Sequence, residues 1–308
     1  MLMTDRVAGK YQFGQPAGSS RRQVVLTLAA LAASSQSGRV WAQGAGNWPL
    51  WTVQGENGKA YLTGETPPRP VAWKDGRIER LLPSCSALWT ETNQVQRQDT
   101  QALIKRYGID NSRPLLSKLT EIDQGRLAKA AELAKLPLDS LTQTRPWLAA
   151  FTLEQAYYGN MNLQESGTTE KVLMPRAKDV GIPVSSEFPT IDDLVTFMGE
   201  SLQAEDVQYL QYTLDHILDG PAANERIYSL WARGDISGAE EMVRRMKSSQ
   251  PAMYKKHVIG RNRDWVPRID EMLKSQKPAL IIVGLYHLVG PDSILVRLGE
   301  HGLKVAAA

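Results

Sequence analysis

The feature that most constrains the fold is a continuous apolar run near the end of the chain, residues 278–284 (PALIIVG). A strand with one wet face alternates apolar and polar residues, whereas this run has no polar side chain and predicts a strand buried on both faces. The turn residues at 290–292 then predict the start of a helix, and residues 303–305 predict a closing strand. This order of strand, helix and strand is typical of an α/β fold.

The rest of the chain predicts a helix-rich protein around that strand. Asn57-Gly58 supplies the positive φ angles of a tight hairpin turn between two β-rich runs, so the chain after residue 42 is expected to open with a hairpin. We therefore predict an α/β fold with a small mixed sheet, opened by this hairpin, and with site loops at the strand ends. The predicted elements are hairpin strands at 51–53 and 59–63, strands at 87–91 and 181–187, a short helix at 77–82, and helical regions at 94–180 and 192–274.

Residues 1–42 have the features of a bacterial export signal of the twin-arginine type. Arg21 and Arg22 directly precede an apolar run of ten residues, 24–33, which is too short for a membrane span of about 20 residues. Small residues allow cleavage after Ala42. The prediction is a periplasmic or secreted protein with one domain at 43–308, and the alternative is a disordered tail with a buried helix.

Removal of the leader also changes the charge balance. The whole chain has 36 basic and 33 acidic residues; five basic residues and one acidic residue lie in the leader, which leaves 31 and 32. A nearly neutral domain does not have the electrostatic footprint of a nucleic-acid-binding protein. No second apolar stretch reaches membrane length, so no transmembrane segment is predicted after Ala42. Cys85 is the one cysteine, which excludes an intramolecular disulfide and favours a buried, inert thiol over a nucleophile.

The candidate for chemistry that the residues themselves indicate is the segment after the apolar strand, Gly284-Leu285-Tyr286-His287. Ligand and catalytic sites of α/β folds lie at the carboxyl ends of strands. Gly284 would let the chain turn sharply there, and His287 would either bind a metal, move a proton or serve as a structural histidine. His216, His257 and His301 show no ligand spacing and are expected to be structural or exposed.

The ordered set of segments resembles the TraB/GumN family (the TraB/PrgY/GumN and Tiki-like proteins) over roughly residues 48–305. No single segment is specific, but their order and spacing together are. The similar segments are residues 50–53 and 61–64 of the hairpin, 88–91 at the next strand, the Arg145-Pro146-Trp147 helix start, 181–187, 228–235, 261–265 and 283–290.

The resemblance implies a site built from two Gly-x-x-His motifs and acidic residues, and in the Tiki branch a divalent-metal-dependent peptidase. By position, His287 corresponds to the second histidine, while Glu91 and Glu187 correspond to the acids. These three residues become the predicted catalytic residues and the predicted ligands of a divalent metal of the Mn or Co type. Gly64 and Gly284 are the motif glycines, and Arg261 with Asn262 either contact substrate or have a structural role.

The first motif departs from the family, because the chain has Gly64-Glu65-Thr66-Pro67 where a Gly-x-x-His motif is expected. Proline offers neither a metal ligand nor a proton-transfer group. Glu65 could replace the missing ligand or be a solvated loop acid. Similarly, Glu91 and Glu187 could bind a metal, cap helices or pair with Arg261.

Two main functions therefore remain open from the sequence, and a third, metal or haem carriage, would depend on a single histidine ligand. One is an exported, divalent-metal-dependent hydrolase of peptidase type that acts on an unknown peptide or protein. The other is a non-catalytic periplasmic binding or interaction protein, a pseudoenzyme that has kept the fold. Motifs for serine hydrolysis, nucleotide phosphates and dinucleotides are missing from the sequence, so neither hypothesis uses that chemistry.

Overall fold

The computed structural model describes residues 47–66, 68, 72–95, 99–161 and 167–308. The predicted leader, residues 1–42, and Pro67 lie outside this part of the chain. The twin-arginine signal and the cleavage after Ala42 therefore remain predictions.

The described strands form one mixed sheet in the order β4-β3-β5-β2-β1-β6. Strands β4, β3, β5 and β2 run parallel to one another, and β1 runs antiparallel to both β2 and β6. The predicted mixed sheet, opened by the hairpin of β1 and β2, is confirmed. The strands are β1 (Leu50–Gln54), β2 (Lys59–Glu65), β3 (Ala87–Val95), β4 (Val184–Thr190), β5 (Ala279–Gly284) and β6 (Lys304–Ala307).

Helices make up most of the described chain, as the sequence predicted. Short 3₁₀ turns join some of them, and a π-helical segment, Lys255–Gly260, lies between two of them. The α-helices are α1 (Gly76–Leu81), α2 (Thr100–Gly108), α3 (Glu121–Leu133), α4 (Pro146–Asn160), α5 (Thr169–Asp179), α6 (Ile191–Ser201), α7 (Asp206–Trp231), α8 (Ser237–Ser249), α9 (Pro251–Tyr254), α10 (Arg261–Met272) and α11 (Ile294–Glu300).

Local sequence signals explain where several helices begin. Thr190 forms a capping box with Asp193 at the start of α6, so each residue satisfies a backbone N–H of the other. Thr168 and Ser293 cap α5 and α11 through their hydroxyls. Pro146 occupies the first position of α4, where a missing N–H has no cost, which confirms the predicted helix start.

Strand β5 lies in the middle of the main hydrophobic core, as its apolar sequence predicted. Residues 279–283 are at most 1% exposed and pack with buried side chains such as Trp265 and Ile269 of α10. Two smaller clusters lie among the helices, one formed mainly by α3, α4 and α7, and the other by α2, α4 and α6. Tyr209 of α7 packs against all three clusters.

The structure differs from the prediction in one turn conformation and in one strand boundary. The hairpin loop spans residues 55–58 and closes through a bond from Gly55 N–H to the Gly58 carbonyl, without positive φ at Asn57 or Gly58. Strand β3 continues to Val95 because β4 pairs along its length, so the helical region begins at Thr100 instead of Gln94.

Two glycines with positive φ interrupt the second helical region. Gly220 has φ +80° and kinks α7 in front of Pro221, and Gly234 has φ +83° in the turn after that helix. Both glycines adopt backbone angles that other residues rarely tolerate. No helix in the described part of the chain is long and apolar enough to cross a membrane.

Candidate functional site

Three neighbouring parallel strands bring the predicted acids together. Thr90 of β3 pairs with Ser186 of β4 on one side and with Ile282 of β5 on the other, so the residues that follow, Glu91 and Glu187, occupy equivalent positions. Both acids lie inside their strands, because β3 and β4 continue beyond them. The expectation that they stand at their own strand ends was therefore wrong. Glu91 also borders the end of β5, where its Oε1 accepts from the Gly284 N–H.

Arg261, the first residue of α10, lies between these carboxylates. Its Nη2 donates to Glu91 Oε2 and to Glu187 Oε2 at 2.5 Å each, and its Nε donates to Glu187 Oε2 at 3.0 Å. The Arg261 side chain is 8% exposed, and those of Glu91 and Glu187 are 15% and 11% exposed. The structure thus favours the ion-pair alternative for both acids.

The surroundings of Arg261 keep its guanidinium charged. Burial alone would lower the pKa of Arg261, but the charges of Glu91 and Glu187 raise it above its ordinary value. The guanidinium carbon also lies 4.8 Å from the ring centroid of Trp265 and 5.5 Å from that of Phe188, within the range of cation–π attraction. A fixed cation therefore lies where the sequence predicted a metal.

His287 lies in the turn after β5, and is fully buried against the rings of Trp265 and Tyr286 at centroid distances of 4.4 and 4.5 Å. Burial, and then the charge of Arg261, lower its pKa well below the ordinary range, so the imidazole is neutral. The side chain joins the ion-pair cluster through Arg261 Nη1, which lies 3.4 Å from His287 Nε2.

Asn262 fixes the tautomer of this histidine. Its Nδ2 donates to the carbonyl of Asp292 at 2.8 Å, which leaves Oδ1 to accept from Nδ1–H of His287 at 2.7 Å. Nε2 of His287 is then the unprotonated nitrogen, and its lone pair faces Arg261. Asn262 is fully buried and takes the structural role that the sequence left open.

The predicted residues converge, but they do not form a metal ligand set. His287 Nε2 is 3.9 Å from Glu91 Oε2, and the Arg261 guanidinium bonds to both of these atoms. Within the described ranges, no group of three or more His, Cys, Asp or Glu residues is arranged to hold a metal ion. Arg261 bonds to both carboxylates and neutralises one of their two negative charges.

A second pair of acids, Glu65 and Glu170, borders this cluster, and only Glu65 was considered from the sequence, as a possible replacement ligand. Glu65, the last residue of β2, accepts from the backbone N–H of Glu170 at 2.9 Å, so the solvated-loop hypothesis for Glu65 was wrong. Burial, opposed by hydrogen bonds, raises the Glu65 pKa to about 7; burial, then the charges of Glu65 and Glu91, raise the pKa of Glu170 well above its usual value. The one sequence signal for Glu170 was its place in the first turn after the capping residue Thr168.

The two motif glycines allow close packing. A Cβ on Gly284 would lie 2.8 Å from the Tyr286 ring and 3.2 Å from Glu91 Oε1, the atom that accepts the Gly284 N–H. A Cβ on Gly64 would lie 2.5 Å from the ring of Trp231. Gly284 has φ −51°, an angle that other residues adopt easily. Glycine is therefore needed there because it has no side chain, and not because of a special turn conformation.

A family model, the TraB/PrgY/gumN family, matches residues 49–307 of the chain. The chain belongs to this family. The match runs from the residue before β1 to the end of β6, so the whole described fold is the family fold. None of the curated proteins and none of the solved structures compared with this TraB/PrgY/gumN protein matches it.

The remaining candidates in this TraB/PrgY/gumN protein have the ordinary roles that the sequence predicted. Cys85 is buried, and burial raises the pKa of its thiol to about 11, as expected of an inert cysteine. His216 bonds to the hydroxyl of Tyr158, His301 is exposed, and His257 is buried against aromatic rings.

Proposed function

We propose that this TraB/PrgY/gumN protein is exported and binds a peptide or protein partner at the edge of its sheet without hydrolysing it. The observation that carries this proposal is the position of Arg261, whose guanidinium bonds to Glu91 and Glu187 and faces the free lone pair of His287. The groups that a peptidase metal would need are thereby engaged within the protein.

The energetics support a permanent arrangement. Removal of one partner from a buried ion pair leaves an uncompensated charge and costs about 3–5 kcal/mol. A divalent metal would have to displace Arg261 from two carboxylates and leave the guanidinium buried among aromatic rings. The family position of the first histidine is also Pro67, which offers no ligand in compensation.

The binding part of the proposal is tested with the mature protein, residues 43–308, and a peptide library. We expect peptides to be retained and recovered intact, with or without added Mn²⁺ or Co²⁺. We also expect equal thermal shifts with Mn²⁺ for the wild type and for His287→Ala, because His287 holds no metal. Metal-stimulated cleavage that His287→Ala abolishes would overturn the proposal.

The export part rests on Arg21 and Arg22 in front of the short apolar run. Replacement of both by lysine should leave unprocessed precursor in the cytoplasm, measured by cell fractionation. If the variant still yields periplasmic protein that begins near Gln43, the twin-arginine route is wrong and a general secretory route replaces it.

A metal-dependent hydrolase of peptidase type is the second candidate, and the pair Glu65 and Glu170 favours it. Raised pKa values beside a strand-edge cluster are a property of catalytic acids and bases.

Restoring the missing motif histidine tests this candidate: if the site is preserved, Pro67→His, alone or with Pro68→Val, should tighten Mn²⁺ binding about tenfold, or ~1.4 kcal/mol. Calorimetry and peptide cleavage on the same samples would show whether both properties return. No gain of either would exclude the hydrolase.

A further inference from the structure

Four polar side chains lie beside the Arg261 cluster, where α4 packs on α7, and of these Tyr158 bonds to His216 at 2.7 Å. Glu154 and Tyr158 are four residues apart on α4, and Tyr209 and Tyr212 are three residues apart on α7, so each pair shares a helix face. The two helices pack through a shared cluster that includes Leu153 and Leu210, with Tyr158 and Tyr209 at its border. None of these four side chains is fully buried.

Glu154 has no hydrogen bond and no ion pair with the residues that the structure describes. Burial raises its pKa to about 7, with no opposing bond or cation. Burial also raises the pKa of the Tyr209 and Tyr212 hydroxyls, and the Glu154 charge raises both further, so the carboxylate and these phenols lie within electrostatic reach. Among the residues that the structure describes, the Tyr212 hydroxyl has the Sδ of Met242 as its one hydrogen-bond partner, at 4.0 Å.

The nearby cations are already paired with other acids. Arg245, which acts on Tyr212, pairs with Asp215 and Asp219. Arg261, which acts on Tyr209, pairs with Glu91 and Glu187. The described residues therefore leave Glu154 without a counterion of its own, although most buried carboxylates have one.

Aromatic residues connect Glu154 to the Arg261 cluster. The Tyr209 ring stacks on His257 with centroids 5.3 Å apart and planes 18° apart, and His257 Nε2 is buried without a hydrogen bond in the described part of the chain. Tyr286 contacts His287 and also acts electrostatically on Tyr209 and Tyr212. His257 belongs to the π-helical segment directly before Arg261, and such segments are frequent at functional sites.

We propose that Glu154, Tyr209 and Tyr212 form a subsite for the cationic side chain of a lysine or arginine in the bound peptide. The carboxylate supplies the missing charge partner, and the phenol rings supply faces that attract a cation. An acidic side chain would add a second negative charge, and a neutral one would leave Glu154 unpaired. This inference rests on the proposed peptide-binding function and adds the class of residue that is recognised.

The first test uses n-butylammonium, with n-butanol as the neutral control, so that it does not depend on peptide binding. Tyrosine-labelled NMR of the mature protein reports on the subsite, with the signals of Tyr209 and Tyr212 assigned through phenylalanine substitutions. We expect n-butylammonium, but not n-butanol, to shift both signals. Glu154→Gln should remove the shifts, and the exposed control Glu121→Gln should keep them. Unshifted wild-type signals, or shifts that survive in Glu154→Gln, would overturn the subsite.

The second test compares a capped peptide that carries one lysine with its norleucine analogue, which has a similar length and no charge. We expect the wild type to bind the lysine peptide about tenfold more tightly, a difference of ~1.4 kcal/mol, and Glu154→Gln to bind both peptides equally. Peptide binding without a preference for lysine would overturn the subsite. If neither peptide binds while n-butylammonium still shifts the signals, the peptide-binding function fails and the cation subsite stands.

Discussion

Two partly buried acidic regions of this protein differ in how their charge is compensated. At the end of β5, Glu91 and Glu187 are 15% and 11% exposed and share one guanidinium. Between α4 and α7, Glu154 has no cation and no hydrogen-bond donor among the described residues, and burial raises its pKa to about 7. Both acids of the first region bond to a cation of the chain, whereas the acid of the second region has no such partner among the described residues.

This difference indicates where a partner can contribute. A ligand that binds at the Arg261 cluster must replace bonds that Arg261 already makes, and each replacement leaves a buried charge unpaired. A cation that approaches Glu154 replaces no protein bond there. The acids of the Arg261 cluster are therefore already paired within the chain, whereas Glu154 beside it can pair with an incoming cation.

The largest effect is expected from the loss of the central cation. Arg261→Met keeps much of the side-chain length but leaves Glu91 and Glu187 unpaired, so the free energy of unfolding should fall by about 3–5 kcal/mol in urea titrations. Arg244→Met removes an exposed pair with Glu241 and is the control, with an expected change of about 0–1 kcal/mol. Similar losses in the two variants would show that Arg261 does not stabilise Glu91 and Glu187.

A smaller effect is expected from Asn262→Ala, which removes two buried hydrogen bonds of the same cluster. The Nδ1–H of His287 and the Asp292 carbonyl would both lose their partner, at a total of about 1–3 kcal/mol, since a neutral hydrogen bond contributes about 0.5–1.5 kcal/mol. Urea unfolding measures the loss, and ¹⁵N NMR reports the tautomer, which should be Nδ1–H in the wild type. The exposed Asn111→Ala is the control. A wild-type Nε2–H tautomer would contradict the bonding scheme.

Sequence periodicity predicted the fold well because burial determines it. The run 278–284 became β5 in the middle of the sheet, and Asn57-Gly58 marked a hairpin, although its turn has no positive φ. Boundaries were less accurate where pairing decides them, since the extension of β3 to Val95 depends on its neighbour β4.

The sequence predicted which residues form the site, but it did not predict how their side chains bond to one another. Glu91, Glu187 and His287 do converge, but the sequence could not show that the Arg261 side chain would lie between them, because α10 is brought there by packing. Glu154 could not be predicted for a similar reason. An acid within a helical pattern is usually solvated, and its burial follows from the packing of α7 on α4.

The smallest effect, and the one that separates the two regions most directly, is the pH dependence of Glu154→Gln. The folded pKa of about 7 exceeds the ordinary value of 4.5, so between these values the folded state binds more protons than the unfolded state, and the free energy of unfolding falls as pH rises. This stabilisation is fully present at low pH and is lost as pH passes through the folded pKa.

Because Glu154 keeps some solvent contact, we expect the stability of Glu154→Gln relative to wild type to increase by about 1–2 kcal/mol from about pH 5 to about pH 8. Thermal and urea unfolding at both pH values measure this, with the exposed Glu121→Gln as a control that should not change. If Glu154→Gln and wild type depend on pH equally, Glu154 is compensated in solution and the contrast with the Arg261 cluster disappears.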